Sequence, residues 1–233
     1  MSARVLVTGG ASGIGLGISR VLVEAGFEVV VCGRRQSVLA DAEQSLGVRG
    51  LVWDLVNPQG LVHAAGPLTH LVHCAGNDAN VPLADWQAHH FSDCFALHAV
   101  ATGLLMRDWA AQAPKGGCFV GISSTLGRRS APGKGPYAAA KAAMQSICQT
   151  GAMELAHSKL RVNTVLPGIV PTAMTRVPRW PGSDVSAQLE DFRRMHPLGR
   201  LGRPEEVGDA VRYLLEAEWV TGAELVVDGG LSL

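Results

Sequence analysis

Seven short aliphatic runs, at 5–7, 29–31, 51–53, 70–73, 118–122, 162–166 and 224–227, alternate with helical patterns near 14–25, 36–45, 58–65, 83–112, 136–157 and 204–216. The runs are almost continuously apolar, as expected of strands covered on both faces rather than one. Strand–helix alternation of this kind predicts an α/β chain with a doubly wound, parallel, seven-stranded sheet and helices on both faces. No linker, repeat or charge block divides residues 1–233, so a single domain is expected. Residues 168–203 break the rhythm, with Pro171, Pro178, Pro181, Pro197 and several glycines around a short polar stretch at 184–195. A long irregular excursion after a strand end is usually functional, and a substrate lid is expected there.

Composition narrows the function. The chain has 20 basic and 20 acidic residues and is 47% hydrophobic, without the basic excess of a nucleic-acid binder. No apolar run reaches the length of a membrane span, and the first strand begins so early that a secretory leader is not expected. Cys32, Cys74, Cys94, Cys118 and Cys148 are scattered without a Cys-x-x-Cys pair, which points to reduced thiols, a cytoplasmic setting and no metal site. His89 and His90 read as a helix surface.

Thr8-Gly9-Gly10-Ala11-Ser12-Gly13-Ile14-Gly15 joins the first strand to the first helix. Glycines allow a tight turn and close approach of the backbone to a pyrophosphate, while the helix N-terminus offers unpaired N–H donors to the anion. In this strand–turn–helix setting the motif predicts a Rossmann-type dinucleotide site, and no Gly-Lys-Ser/Thr follows to make it a P-loop. The second strand ends in Cys32-Gly33-Arg34-Arg35, with no acid for a ribose 2′-hydroxyl. Arginines there suit a 2′-phosphate, so NADP(H) is favoured and NAD(H) is the alternative.

Tyr137 and Lys141 stand four residues apart in one helical pattern, and thus on one face. An ammonium beside a phenol favours the phenolate and should pull its pKa towards neutrality. A hydroxyl nearby, such as Ser124, can hold a substrate oxygen. Together these groups can exchange a proton at a carbonyl or alcohol.

The glycine motif with Ser124, Tyr137 and Lys141 resembles the short-chain dehydrogenase/reductase family, including its 3-oxoacyl-carrier-protein reductase-like members, almost end to end. Asp54-Leu55 resembles the pair that meets the adenine, and His73-Cys74-Ala75-Gly76 takes the place of Asn-Asn-Ala-Gly. The segment from Asn163 to Thr172 resembles the one that holds the nicotinamide carboxamide, with Pro167, Gly168, Val170 and Thr172 as its contacts. The resemblance implies hydride transfer between a nicotinamide and a carbonyl or alcohol carbon of a small molecule, free or carrier-bound. Tyr137 would be the acid or base, Lys141 the ribose-holding residue that lowers the Tyr137 pKa, and Ser124 the substrate-oxygen donor. It also implies a homo-oligomer, dimer or tetramer, through the small-residue helix at 136–157, burial within the chain being the alternative for those residues.

Two departures stand out. His73 and Cys74 replace the asparagines that brace the turn, so those hydrogen bonds are rearranged or lost. The asparagine expected in the preceding helix is absent from Phe95–Ala101, where His98 falls nearest, either as a polar link to water or as a core histidine. These departures leave a second reading, a cofactor-binding regulatory or redox-sensing protein with little turnover. A methyltransferase would leave Tyr137 and Lys141 without roles. Arg128 and Arg129, following the catalytic strand, could bind a substrate anion or sit in solvent; Arg179, Trp180 and Met195 could line the lid.

Overall fold

The computed structural model describes residues 3–178, 182 and 184–233. Seven strands, β1 (Arg4–Thr8), β2 (Glu28–Gly33), β3 (Arg49–Val52), β4 (His70–His73), β5 (Cys118–Ile122), β6 (Arg161–Pro167) and β7 (Glu224–Val227), form one sheet. Their order is β3-β2-β1-β4-β5-β6-β7, and every pairing is parallel. The order reverses between β1 and β4, which makes the crevice at their carboxyl ends the expected ligand site.

The apolar runs are continuous because alternate residues feed two cores, as strand geometry requires. Val5 and Val7, Val29 and Val31, and Cys118, Val120 and Ile122 join one cluster. Leu6, Val30, Cys32 and Phe119 join the other. The first is covered by α1 (Gly13–Glu24), α2 (Gln36–Leu46) and α8 (Pro204–Glu216), the second by α3 (Leu61–Ala65), α5 (Ala101–Ala110) and α6 (Gly135–Leu155). Helices α1 and α8 approach closely at glycine. A Cβ on Gly17 would stand 2.4 Å from Pro204 Cβ, and one on Gly208 would stand 2.8 Å from Val21 Cγ2. Buried Arg161 donates to the carbonyls of Leu214 (2.6 Å), Leu215 (2.7 Å) and Val220 (3.2 Å). It thereby satisfies carbonyls at the end of α8 that no helix residue can reach.

One expected helix is not continuous. The pattern at 83–112 resolves into a 3₁₀ turn (Leu83–Asp85), α4 (Ala88–Phe95), a π-helical turn (Ala96–Val100) and then α5. Side chains explain the wider turn: Thr102 Oγ1 donates to the His98 carbonyl at 2.6 Å, and the His98 ring turns away to bond the Asn77 carbonyl at 2.9 Å. Such bulges collect at functional sites. The pattern at 58–65 shortens to α3 because Gly60, at φ 84°, caps it in the left-handed region. β3 spans 49–52 rather than 51–53. The polar stretch at 184–195 contains α7 (Val185–Arg194), started by Asp184 accepting from Ser186 N at 2.8 Å. No α7 side chain is fully buried. Its end is tied down by His196, which donates from Nδ1 to Phe192 O (2.6 Å) and accepts at Nε2 from Ile169 N (3.3 Å). Among the described residues, no helix is long and apolar enough to cross a membrane.

Candidate active site

A cleft of about 410 Å³ opens at the carboxyl ends of β1, β2, β4 and β5. Gly9, Ser12, Gly13, Ile14 and Gly15 line one end, Arg34, Arg35, Asp54 and Leu55 the side, and Cys74, Ala75, Gly76, His98, Tyr137 and Lys141 the other end. The glycines are needed where they stand. Gly9 takes φ 66° and Gly13 φ 53°. A Cβ on Gly15 would meet Gly9 O at 2.1 Å, and one on Gly9 would meet Ala75 Cα at 2.9 Å. Helix α1 starts at Gly13, and the Ser12 side chain makes no cap bond. The amides of Gly13, Ile14 and Gly15 therefore face the cleft without intrahelical acceptors. Arg34 and Arg35 are exposed at the start of α2, whose first turn carries no acid.

At the inner end, Ser124 follows β5 in extended conformation and its oxygen accepts from Leu126 N at 3.1 Å. The Ser124 hydroxyl also acts on the Tyr137 phenol, favouring its ionised form. Lys141 lies one turn along α6, its Nζ 5.7 Å from the Tyr137 ring centroid and donating to Ile122 O at 2.7 Å. Burial lowers the Lys141 pKa to about 8, which keeps the ammonium largely protonated at neutral pH.

The expected fall in the Tyr137 pKa is not seen. Burial and then the Asp78 carboxylate push the phenol up, and the Ser124 hydroxyl only partly offsets them. The ammonium is tied to a main-chain carbonyl beside the ring rather than to the hydroxyl, so desolvation wins.

Ser123 rather than Ser124 lines the cleft, but its buried hydroxyl is engaged, donating to Lys141 O at 3.2 Å and accepting from Gln145 Nε2 at 2.8 Å. Gln145 also reaches Ser124 O at 3.3 Å. It thus extends the Tyr137–Lys141 face by one more turn and braces the serine turn. Sequence reasoning missed it, although its i+4 spacing from Lys141 was there to find.

His73 rearranges the brace rather than losing it. Its Nε2 lies 2.9 Å from Leu97 O, and this contact makes Nε2 the protonated nitrogen. Nδ1 is then the acceptor for Thr8 Oγ1 at 2.8 Å, and Thr8 Oγ1 in turn accepts from Cys74 N (3.1 Å) and Ala75 N (3.2 Å). Burial holds the His73 pKa at about 4, so the ring stays neutral in this role. His98, 1% exposed, is kept neutral by the same cause. Its Nε2–H goes to the Asn77 carbonyl, leaving Nδ1 a buried acceptor without a partner among the described residues. The ring meets Tyr137 edge-on at 5.4 Å.

These groups make a glycine-lined cleft that ends at Tyr137 and Lys141, and the chain has known relatives. A family profile described as Enoyl-(Acyl carrier protein) reductase matches residues 9–232. The chain is 30% identical over 239 positions to the 3-oxoacyl-[acyl-carrier-protein] reductase of Rattus norvegicus, covering 97% of each chain. It is 30% identical to Carbonyl reductase family member 4 of Xenopus tropicalis, again over 97% of each. With the L-fucose dehydrogenase of Oryctolagus cuniculus it shares 32% over 98% of this chain and 84% of the relative. The chain belongs to the short-chain dehydrogenase/reductase family.

This dehydrogenase/reductase is therefore an oxidoreductase acting on CH–OH or C=O groups with a nicotinamide cofactor. The cradle fits such a group: an added Cβ would fill it at Gly9, Gly13 or Gly15, and the α1 amides stand open towards a pyrophosphate.

The remaining sequence candidates divide. Thr172 lines the cleft, with its Cγ2 3.2 Å from the Cβ position of Gly13. Pro167 ends β6, and Gly168 and Val170 border a neighbouring cavity of about 370 Å³ with His196, Arg200 and Asp228. Arg128 pairs with Glu224 at 2.8 Å, and Arg129 donates to Leu231 O. Both are engaged within the chain rather than turned to a substrate. The Asp228 carboxylate gathers the N–H groups of Gly230 (2.9 Å) and Ser232 (2.8 Å) and the Ser232 hydroxyl, while Gly230 packs on Pro197. Met195 is 52% exposed; Arg179 and Trp180 lie outside the described residues. The His89 and His90 rings lie tilted against each other on α4, their centroids 4.0 Å apart, and His90 Nδ1 accepts from Gln87 N. Among the described residues no cluster of three His, Cys, Asp or Glu could hold a metal.

Proposed function

We propose that this chain is an NADP(H)-dependent oxidoreductase that interconverts a ketone and a secondary alcohol. The observation that carries the reading is the Tyr137 phenol at the inner end of the cleft, with Lys141 one turn behind and the Ser124 hydroxyl acting on the phenol. The bound nicotinamide supplies or accepts the hydride. Ser124 donates a hydrogen bond to the substrate oxygen, which orients it beside the phenol. Tyr137 gives its proton to that oxygen in reduction and takes it back in oxidation. The buried Lys141 ammonium holds the ribose and favours the phenolate when a proton must leave. In this reading Thr172 meets the carboxamide from within the cleft, with Pro167, Gly168 and Val170 reaching it from the adjoining segment, while Asp54 and Leu55 meet the adenine and Cys74, Ala75 and Gly76 the ribose. Arg34 and Arg35, exposed and without an ion-pair partner among the described residues, support a 2′-phosphate.

His98 is a positioning residue in this scheme, its Nδ1 accepting from a water that links Lys141 to solvent. Residues 168–203 act as the substrate lid of a one-domain, cytoplasmic enzyme. A 3-oxoacyl thioester is the first substrate to try, because a relative is named for 3-oxoacyl-[acyl-carrier-protein]. Ala139 and Ala142 are exposed on α6 with Met153, 81% exposed, and support a dimer or tetramer in sedimentation.

The test is a panel of 3-oxoacyl thioesters, cyclic ketones and secondary alcohols followed by nicotinamide absorbance. We expect turnover with NADPH well above that with NADH, and a Tyr137→Phe variant slowed at least about a hundredfold. NADPH binding by fluorescence with no turnover in any arm would favour the regulatory reading instead.

A further inference from the structure

The segment after β4 is clasped to the start of the catalytic helix at three points. Val81 N donates to Gly133 O at 2.8 Å. The Trp86 indole, anchored by Nε1 on Val81 O at 3.1 Å, lies where a Cβ on Gly135 would stand, 2.1 Å from Trp86 Cζ2. Between these contacts, Lys134 Nζ pairs with Asp78 Oδ2, both side chains only 18% and 25% exposed. Lys134 precedes Tyr137 by three residues at the N-cap of α6, so the pair sits against the turn that aims the phenol. The fold does not need a charged pair at this place, since the main-chain bond and the indole already hold the segment.

We propose that Asp78 and Lys134 are positioning residues for Tyr137, opposed charges that together set the pH at which its phenol exchanges a proton. The inference rests on the acid–base reading of Tyr137 given above. The Asp78 carboxylate disfavours the ionised form of the phenol; Lys134 holds that carboxylate and opposes it at Cys94, on which both act. The other groups facing Tyr137 are Lys141 from α6, Ser124 from the turn after β5, Cys74 from the end of β4, Cys94 from α4 and the neutral ring of His98. None of these is an acid in its ionised state at neutral pH, which leaves Asp78 as the fixed negative charge and Lys134 as its counterweight.

The sign follows directly. Alcohol oxidation needs the phenolate, so its rate climbs with pH towards the Tyr137 pKa. Asp78→Asn removes a negative charge and should move that limb to lower pH by roughly half a unit. Lys134→Met leaves the carboxylate uncompensated and should move it upwards by about as much. The double variant should return close to the parent profile.

The pH–rate profiles are measured with the best alcohol of the panel, and thermal melts report folding. Separately, tyrosine isotope-labelled at Cζ is titrated by NMR with NADP⁺ bound in a Tyr213→Phe background. The chain has only 2 tyrosines, so the signal is Tyr137 alone, and no substrate is required. Opposite shifts that cancel in the double variant support the clasp. Shifts of the same sign, or a loss of rate without any shift, overturn it and leave a purely mechanical strap. An active Tyr137→Phe enzyme would instead sink the acid–base reading itself, so the two failures are distinguishable.

Discussion

Two buried histidines occupy places where an amide would serve, and each behaves as an uncharged, single-tautomer hydrogen-bonding group. His73 accepts from Thr8 and donates to Leu97 across the β1–β4 boundary; His98 donates to Asn77 and keeps one acceptor in reserve. Asparagine offers both a donor and an acceptor, so His98→Asn should retain turnover within about tenfold, while His98→Leu, which can accept nothing, should lose much more. Steady-state rates for the pair, with NADPH affinity as a control for folding of the cleft, separate a water-linked role from simple core filling. Equal losses in both variants would return His98 to the core.

At the scale of elements, the buried guanidinium of Arg161 joins β6 to the last turn of α8. Arg161→Met strands the Leu214 and Leu215 carbonyls and should destabilise the fold by about 3 kcal/mol, read from denaturant midpoints. The same scale shows what the sequence made legible. Strand identity was readable because the runs of β1, β2, β4, β5 and β6 are buried on both faces, while β3 and β7, at the sheet edges, are only partly covered; β4, β5 and β7 fall where the runs lie. The cradle was readable because Gly9, Gly13 and Gly15 each answer a local steric demand. The interruption of the 83–112 helix was not, because it depends on His98 and Thr102 meeting partners fixed by the tertiary fold. The raised Tyr137 pKa was hidden for the same reason: i+4 spacing places the ammonium near the ring, but only the fold shows it bonded to Ile122 and the phenol buried near Asp78. Likewise, nothing local in Arg128-Arg129 indicates Glu224 and Leu231 as their partners.

For the whole molecule, pH acts through the buried rings. Burial, aided at His70 by Arg161, holds His70 and His73 at about 4, against 6.5 when unshielded. Above the unfolded value both states carry neutral rings and the full stability is present. As pH falls from there to about 4, only the unfolded chain takes up these protons, and stability drops by on the order of 3 kcal/mol per ring. Denaturant midpoints should thus fall steeply between about pH 6.5 and about pH 4, and a His73→Gln variant should show a shallower slope. The tail is also a long-range fastener, because Arg129 grips Leu231 O, Asp228 folds residues 229–232 into a knot, and Gly230 rests on Pro197 beneath the excursion. Clipping the chain after Gly229 would therefore slacken the turn that carries Ser124 and the segment around Pro197 in one stroke, and should lower turnover from a spot outside the cleft.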